Sequence, residues 1–164
     1  MTLDNGSTTT AQPAPPPPCQ TITAIACNTP GFGTLCTALQ AAGLASVLRN
    51  GTFTVFAPTD AAFEALPKNG TTSLPAILSN NTRLTDILLF HTVSGRKMMS
   101  NQLNCAALLY MGNGRESRTV CKQNGVIKHQ KGAGNARDKM PIIVTADVQA
   151  CNGVVHAVSQ VMLP

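Results

Sequence analysis

The stretch GTFTVFAPTDAAFEALP, residues 51–67, constrains the fold more tightly than any other part of the chain. Phe53-Thr54-Val55-Phe56-Ala57 is aromatic and β-branched, carries no charge, and predicts a short buried strand. Pro58 has no N–H to give a central ladder, so pairing is expected to stop there. Thr59 or Asp60 then offers a side-chain oxygen to the free N–H groups of a new helix. Ala61 to Leu66 favour that helix, and Pro67 marks its end. Strand, proline, cap and helix follow with no spare residue between them.

The compartment follows from cysteines and glycosylation triplets. The chain holds six Cys (Cys19, Cys27, Cys36, Cys105, Cys121 and Cys151), an even number with no CxxC pair, which is not the spacing of a metal or redox motif. Four Asn-x-Ser/Thr acceptors stand at Asn5, Asn50, Asn69 and Asn80, all in turn-like sequence. Together they point to an oxidising, secretory route. Six Cys allow 15 pairings. Proximity favours Cys27–Cys36, Cys105–Cys121 would tie neighbouring strands, and Cys19–Cys151 follows by elimination.

In chain order, residues 1–18 are Ser/Thr-rich and then Pro-rich, which predicts a disordered start and a polyproline II linker. One domain is expected over residues 19–164, long enough for a real core. The N-terminus lacks the basic start and apolar run of a signal peptide, and Met1 reads as the initiator of a trimmed segment. No lipid-anchor signal precedes Pro164, and no run is long and apolar enough to cross a membrane.

Helical periodicity places Ile22, Ile25 and Ala26 on one face. A second helix is predicted with Phe32, Leu35, Leu39, Ala42, Val47 and Leu48 as its apolar set and Gly43 as a weak point. Leu74–Leu78 predicts a helical turn with Pro75 at its start. Thr82–Leu89 predicts a helix facing Leu84, Ile87 and Leu88 inward, running into a strand Phe90–Val93. Beyond Gly95 the pattern is β. Strands are predicted over 105–111, 117–122, 126–129, 141–148 and 154–162, with Asn124-Gly125 the strongest hairpin signal.

Three of these segments resemble one family. TFTVFAPTDAAFEALP is similar to the first signature box of the fasciclin domain, an extracellular adhesion module. Leu88-Leu89-Phe90-His91-Thr92-Val93 is similar to its central motif, where an aromatic precedes a His. Asn152 to Pro164, NGVVHAVSQVMLP, resembles the second box. The resemblance covers about residues 20–164, in a single copy. It implies an α+β fold, a β-wedge or sandwich of about seven strands with helices concentrated in the N-terminal half. It also implies adhesion as the function. Carried over residue by residue, the family's receptor-contact region falls on Asp86, Ile87, Phe90 and His91, side chains that also read as core. The Pro-rich start is similar to the stalks of plant and algal fasciclin-like arabinogalactan proteins. Two features depart from the family: the Cys complement and a basic, Gly-rich insertion, Lys128–Lys139.

Catalytic chemistry finds no constellation. Asp60, His91 and His156 tempt one to an acid–base group, yet Thr59 and Asp60 have a capping job and both His read as buried, backbone-bonded residues. There is no nucleophile elbow, zincin pair or phosphate loop, and the sequence names no metal or cofactor.

Charge gives a sharper signal. Arg96, Lys97, Arg115, Arg118, Lys122, Lys128, Lys131, Arg137 and Lys139 are nine of the twelve basic residues. Against them stand Glu116 and Asp138, so residues 96–139 carry +7; three cations against five carboxylates leave the rest at −2. Strand parity suggests that Arg118, Lys122 and Lys128 gather on one hairpin face. Such a surface attracts polyanions. The expected patch includes no aromatic residue, which argues against single-stranded nucleic acid. The expectation is a non-catalytic extracellular or cell-surface module that contacts acidic or sulfated polysaccharide, with weak self-association left open. The alternatives are homophilic or receptor-mediated protein adhesion and, more distantly, a secreted hydrolase using His91 or His156.

Overall fold

The computed structural model describes residues 19–123 and 127–164. The expected linker with Asn5, and the Asn124-Gly125 turn, lie outside the described residues. Strand β1, Phe53–Pro58, is buried at all six positions. It pairs antiparallel with β2, Thr92–Ser94, and parallel with β7, Gly153–Val158. Strand β6, Ile143–Ala150, completes a four-stranded sheet in the order β2-β1-β7-β6. The parallel register sets Phe56 beside His156, so the two signature segments lie side by side at the centre of the sheet. A strand buried on both faces reads as a continuous apolar run, which is why β1 and β7 show no alternation. The second sheet is an antiparallel meander of β3, Leu108–Tyr110, β4, Glu116–Lys122, and β5, Ile127–Lys131. An isolated bridge, His129 to Ile142, carries the chain from it to the first sheet.

Five α-helices accompany these seven strands among the described residues, all before Phe90. They are α1, Ile22–Asn28, α2, Gly33–Ala41, α3, Asp60–Glu64, α4, Leu74–Ser79, and α5, Asn81–Leu89. Four start on a side-chain oxygen of the preceding residue: Thr21, Thr59, Ser73 and Asn80 each accept an amide N–H three positions on. Helix α2 has Phe32 at that position and no cap of its own. Its cap comes from α3: the Thr34 amide donates to Asp60 Oδ1 at 2.8 Å, while the Asp60 amide donates to the Gly31 carbonyl at 2.8 Å. Thr59 therefore caps its own helix and Asp60 caps another.

Helices α1, α2 and α5 bury Ile22, Ile25, Leu35, Leu39, Leu84 and Ile87 against Val55, Ala57 and Val155 of the sheet. A second cluster joins the two sheets: Phe56, Phe90, Leu103, Leu109, Val158 and Met162. Three disulfides close outlying segments, with Cα–Cα distances of 4.9 Å for Cys27–Cys36, 5.4 Å for Cys105–Cys121 and 5.2 Å for Cys19–Cys151. The last ties residue 19 to the β6–β7 turn, 132 positions away, so it constrains nearly the whole chain when unfolded.

Several sequence expectations need correction. The second helix stops at Ala41, because Gly43 turns the chain at φ 71°; Val47 and Leu48 belong to a separate 3₁₀ turn, and Val47 is exposed. Phe90 and His91 end helix α5, and the strand begins only at Thr92. Cys105 to Ala107 precede β3 in a turn, with Ala106 at φ 67°. The final strand ends at Val158, and Gln160 to Pro164 leave the sheet.

That final segment is gripped by the Gly-rich insertion. Asn135 donates from Nδ2 to the Val161 carbonyl (2.9 Å), while its Oδ1 accepts from the Leu163 and Gly132 amides (3.0 Å each). The Gly134 amide donates to the Leu163 carbonyl. A Cβ at Gly132 would lie 1.9 Å from that same oxygen, so only glycine permits the approach. The insertion is a buckle over the end of the domain.

Candidate functional site

Catalytic chemistry would reside in the buried polar groups. His91, at the end of α5, has Nδ1 2.7 Å from the Ile87 carbonyl, and the Met162 amide donates to its Nε2 at 2.9 Å. An amide N–H needs an acceptor, so Nε2 is bare and the proton sits on Nδ1. The ring is neutral, and burial pushes its pKa down to about 4, opposed by the Ile87 bond. His156 repeats the arrangement with the tautomer reversed: Nδ1 accepts from the Asp147 amide at 3.1 Å, and Nε2 donates to the Met98 carbonyl at 2.8 Å. Burial likewise lowers its pKa. Both rings are at most 2% exposed and have both nitrogens occupied. They join segments of backbone and have no free lone pair to act as a base.

Around His156 lies a polar hub whose composition mimics a catalytic triad and whose connectivity does not. Asp147, at the β6 bulge with φ 62°, accepts from the Ser100 amide and from Ser100 Oγ, both at 2.6 Å. Burial raises the Asp147 pKa, but the Ser100 bonds, with His156 and Lys128, hold it below the usual carboxylate value. A triad needs serine bonded to histidine; here Ser100 bonds the carboxylate and His156 faces a carbonyl. From the second sheet, Lys128 Nζ donates to the Leu103 carbonyl (2.9 Å) and to that of Ser100. Segment 98–103 is thus a strut, held by Asp147 from one sheet and Lys128 from the other.

A cleft of about 370 Å³ is lined by Thr72, Arg83, Asp86, Ile87, Gly134, Leu163 and Pro164, with no histidine or cysteine in its lining. No cluster of three potential metal ligands occurs among the described residues, and no helix there is long and apolar enough to cross a membrane.

The basic residues fall into separate groups. Arg96 and Lys97 follow β2, where Lys97 Nζ donates to Gln149 Oε1. Arg137 and Lys139 lie on a 3₁₀ turn after the buckle. Arg115 sits in the β3–β4 turn. On the second sheet the register decides the rest: Leu108 stands opposite Arg118, and Arg118 opposite Lys131. Residues directly opposite share a face, as do residues two apart along a strand. The outer face therefore carries Leu108, Tyr110, Glu116, Arg118, Lys122 and Lys131. The inner face carries Leu109, Ser117, Thr119, Gln130 and Lys128, most of them buried. Lys128 does not join Arg118 and Lys122 as strand parity had suggested. It lies opposite Cys121, one residue out of step.

The outer face also supplies the aromatic group that the sequence reading missed. Tyr110 is 70% exposed and pairs with Glu116, placing its ring on the face that bears Arg118. It lies inside the basic stretch in sequence, but only strand pairing places its ring beside Arg118. His129 lies on this face too but is buried; burial and then the Lys122 charge lower its pKa. Among the described residues the one His, Lys or Arg nitrogen within 4.0 Å of a carboxylate is that of the neutral His156, 3.9 Å from Asp147, so Arg118, Lys122 and Lys131 have no carboxylate partner there.

A fasciclin domain profile matches residues 30–164. The chain belongs to the fasciclin domain family. Among relatives, it is 36% identical over 145 residues to Protein sll1483 of Synechocystis sp., covering 88% of this chain and 73% of that one. It is 33% identical over 149 residues to the transforming growth factor-beta-induced protein ig-h3 of Sus scrofa, covering 90% of this chain and 20% of that protein. Identity to immunogenic protein MPB70 of Mycobacterium bovis is 31% over 144 residues, 85% of this chain and 66% of the relative. The FAS1 domain pair of the insect cell adhesion molecule fasciclin I matches in structure, with a TM-score of 0.67 and 15% identity over 88% of this chain and 51% of that one. The α+β fold, with its two sheets and N-terminal helices, is the fasciclin fold.

In this fasciclin domain the residues carried over as a receptor-contact region are largely interior. Ile87, Phe90 and His91 are at most 4% exposed, and Asp86 is half-buried, accepting from Asn113 Nδ2 at 3.1 Å. Of the glycosylation triplets within the described residues, Asn50, Asn69 and Asn80 are all exposed.

Proposed function

We propose that this fasciclin domain is a non-catalytic extracellular adhesion or matrix module that contacts acidic or sulfated polysaccharide through the outer face of β3–β5. The observation that carries this reading is the group Arg118, Lys122 and Lys131, on one sheet face, without carboxylate neutralisation among the described residues. Cations so placed release counterions when a polyanion lies across them, and the resulting affinity falls with salt. Family membership, three disulfides and three exposed glycosylation triplets favour a secreted or cell-surface setting. Repeated copies would convert a weak contact into firm attachment. The test is binding to neutral, carboxylated and sulfated polysaccharides across a salt series. Salt-sensitive binding to the anionic members alone supports the reading; equal binding to neutral members, or none to any, removes it.

A second reading, protein–protein adhesion, draws on strand β6. Val144 is 54% exposed on this edge of the first sheet, beside an apolar groove of about 230 Å³ lined by Ile25, Phe32 and Val148. Exposed edges and apolar patches favour pairing with another chain. Association that rises with concentration and survives moderate salt would favour it.

A further inference from the structure

We infer that Tyr110 is a sugar-ring platform, so that the outer face of β3–β5 recognises anionic polysaccharide as sugar as well as charge. This inference rests on the proposed polyanion-binding reading and adds its chemical specificity. A tyrosine 70% exposed on a sheet gives up apolar burial that the fold could have used. Its neighbour Leu108, two residues away on the same face, is 45% exposed, so ring and isobutyl group form one apolar strip along β3. Beside that strip, Arg118 stands directly opposite Leu108 and diagonal to Tyr110, with Lys131 next across the sheet. Diagonal neighbours lie about 7–8 Å apart. A pyranose resting its C–H face on the Tyr110 ring would present its carboxylate or sulfate toward the long Arg118 side chain, with Lys131 one strand further on.

The cations themselves call for such a ligand. Like charges directly opposite on a sheet repel, and an anionic group between Arg118 and Lys131 would relieve that repulsion. Glu116, directly opposite Tyr110 and two residues along β4 from Arg118, would repel a second acidic group placed over it. The face therefore favours one orientation of the glycan, acid toward β5 and hydroxyls toward Glu116.

Composition supplies a direct probe: Tyr110 is the single Tyr, and there is no Trp. Its emission should change when polygalacturonate binds and stay unchanged when polyacrylate, a ringless polycarboxylate, binds. Tyr110→Ala should weaken polygalacturonate binding about fivefold, with an unaltered salt slope, and leave polyacrylate binding as it was; Tyr110→Phe should bind like the parent. Equal affinity of Tyr110→Ala and parent for polygalacturonate would overturn the inference while leaving charge-driven binding intact. Failure of the parent to bind either polymer would overturn both.

Discussion

Arg118 and Lys131 face each other across β4 and β5 on the exposed side of the sheet, two cations in register with no carboxylate within 4.0 Å among the described residues. A pair of like charges directly opposite destabilises a sheet, and opposite charges there contribute about 0.2–1 kcal/mol. Replacing Lys131 by Glu should therefore raise stability slightly, by an amount on that order. The same change should weaken polyanion binding severalfold. Urea denaturation and a binding isotherm on one preparation would check both signs. A variant that loses stability and binding together would mean that Lys131 is structural.

Lys128 should behave in the opposite manner. Its ammonium group is bonded to the Ser100 and Leu103 carbonyls inside the strut, and hydrogen bonds from a charged donor contribute about 1.5–3 kcal/mol. Lys128→Met should lower the urea midpoint by a corresponding amount while the folded protein keeps its polysaccharide affinity. Stability equal to the parent would contradict the assignment.

Acid should weaken the domain through its histidines. The folded pKa of His91 is about 4, against 6.5 for the free side chain, and burial lowers those of His129 and His156. Below the unfolded value the unfolded chain takes up a proton that the folded chain refuses, so stability falls as pH drops. It is fully present above pH 6.5 and is lost progressively toward pH 4, with His91 alone contributing a slope approaching about 1.4 kcal/mol per pH unit. Urea midpoints measured at intervals across that window should fall steadily. A flat profile would contradict buried neutral rings.

The buckle makes the sharpest steric demand. Gly132→Ala would push a methyl group into the Leu163 carbonyl and the Phe90 ring. The chain must then shift, at a cost of about 1–3 kcal/mol. Thermal unfolding should report it. An unchanged midpoint would show that the insertion does not grip the C-terminal segment.

How much of this could be read in the sequence depended on the distance over which each feature acts. Strand β1, its terminal Pro58 and the Thr59 cap were legible because every determinant lies within a few residues. The disulfide pairs could be proposed because spacing and elimination left few sensible choices. Asp60 was read as a cap, but its partner, Thr34, lies 26 residues earlier and is reached only by packing of α2 against α3. Helix α2 was drawn too long, since periodicity alone does not show which glycine will turn the chain. On the second sheet, a charge tally grouped Lys128 with the wrong neighbours and omitted Tyr110. Only register fixes which residues share a face, and a shift of one residue reverses the answer. The family resemblance placed the fold correctly, but it could not reveal that three of the four side chains carried over as a receptor-contact region, Ile87, Phe90 and His91, are shut inside.

The most direct test of the polyanion-binding face compares two charge reversals of equal size. Arg118→Glu/Lys131→Glu alters the proposed face, whereas Arg96→Glu/Lys97→Glu alters a separate group by the same net charge. Binding of each to a carboxylated polysaccharide would be measured across a salt series. Loss of binding and of its salt dependence in the first variant, with affinity retained in the second, is the expected result. Equal losses in both would mean that net charge alone drives attraction, and that the outer face of β3–β5 is not a site.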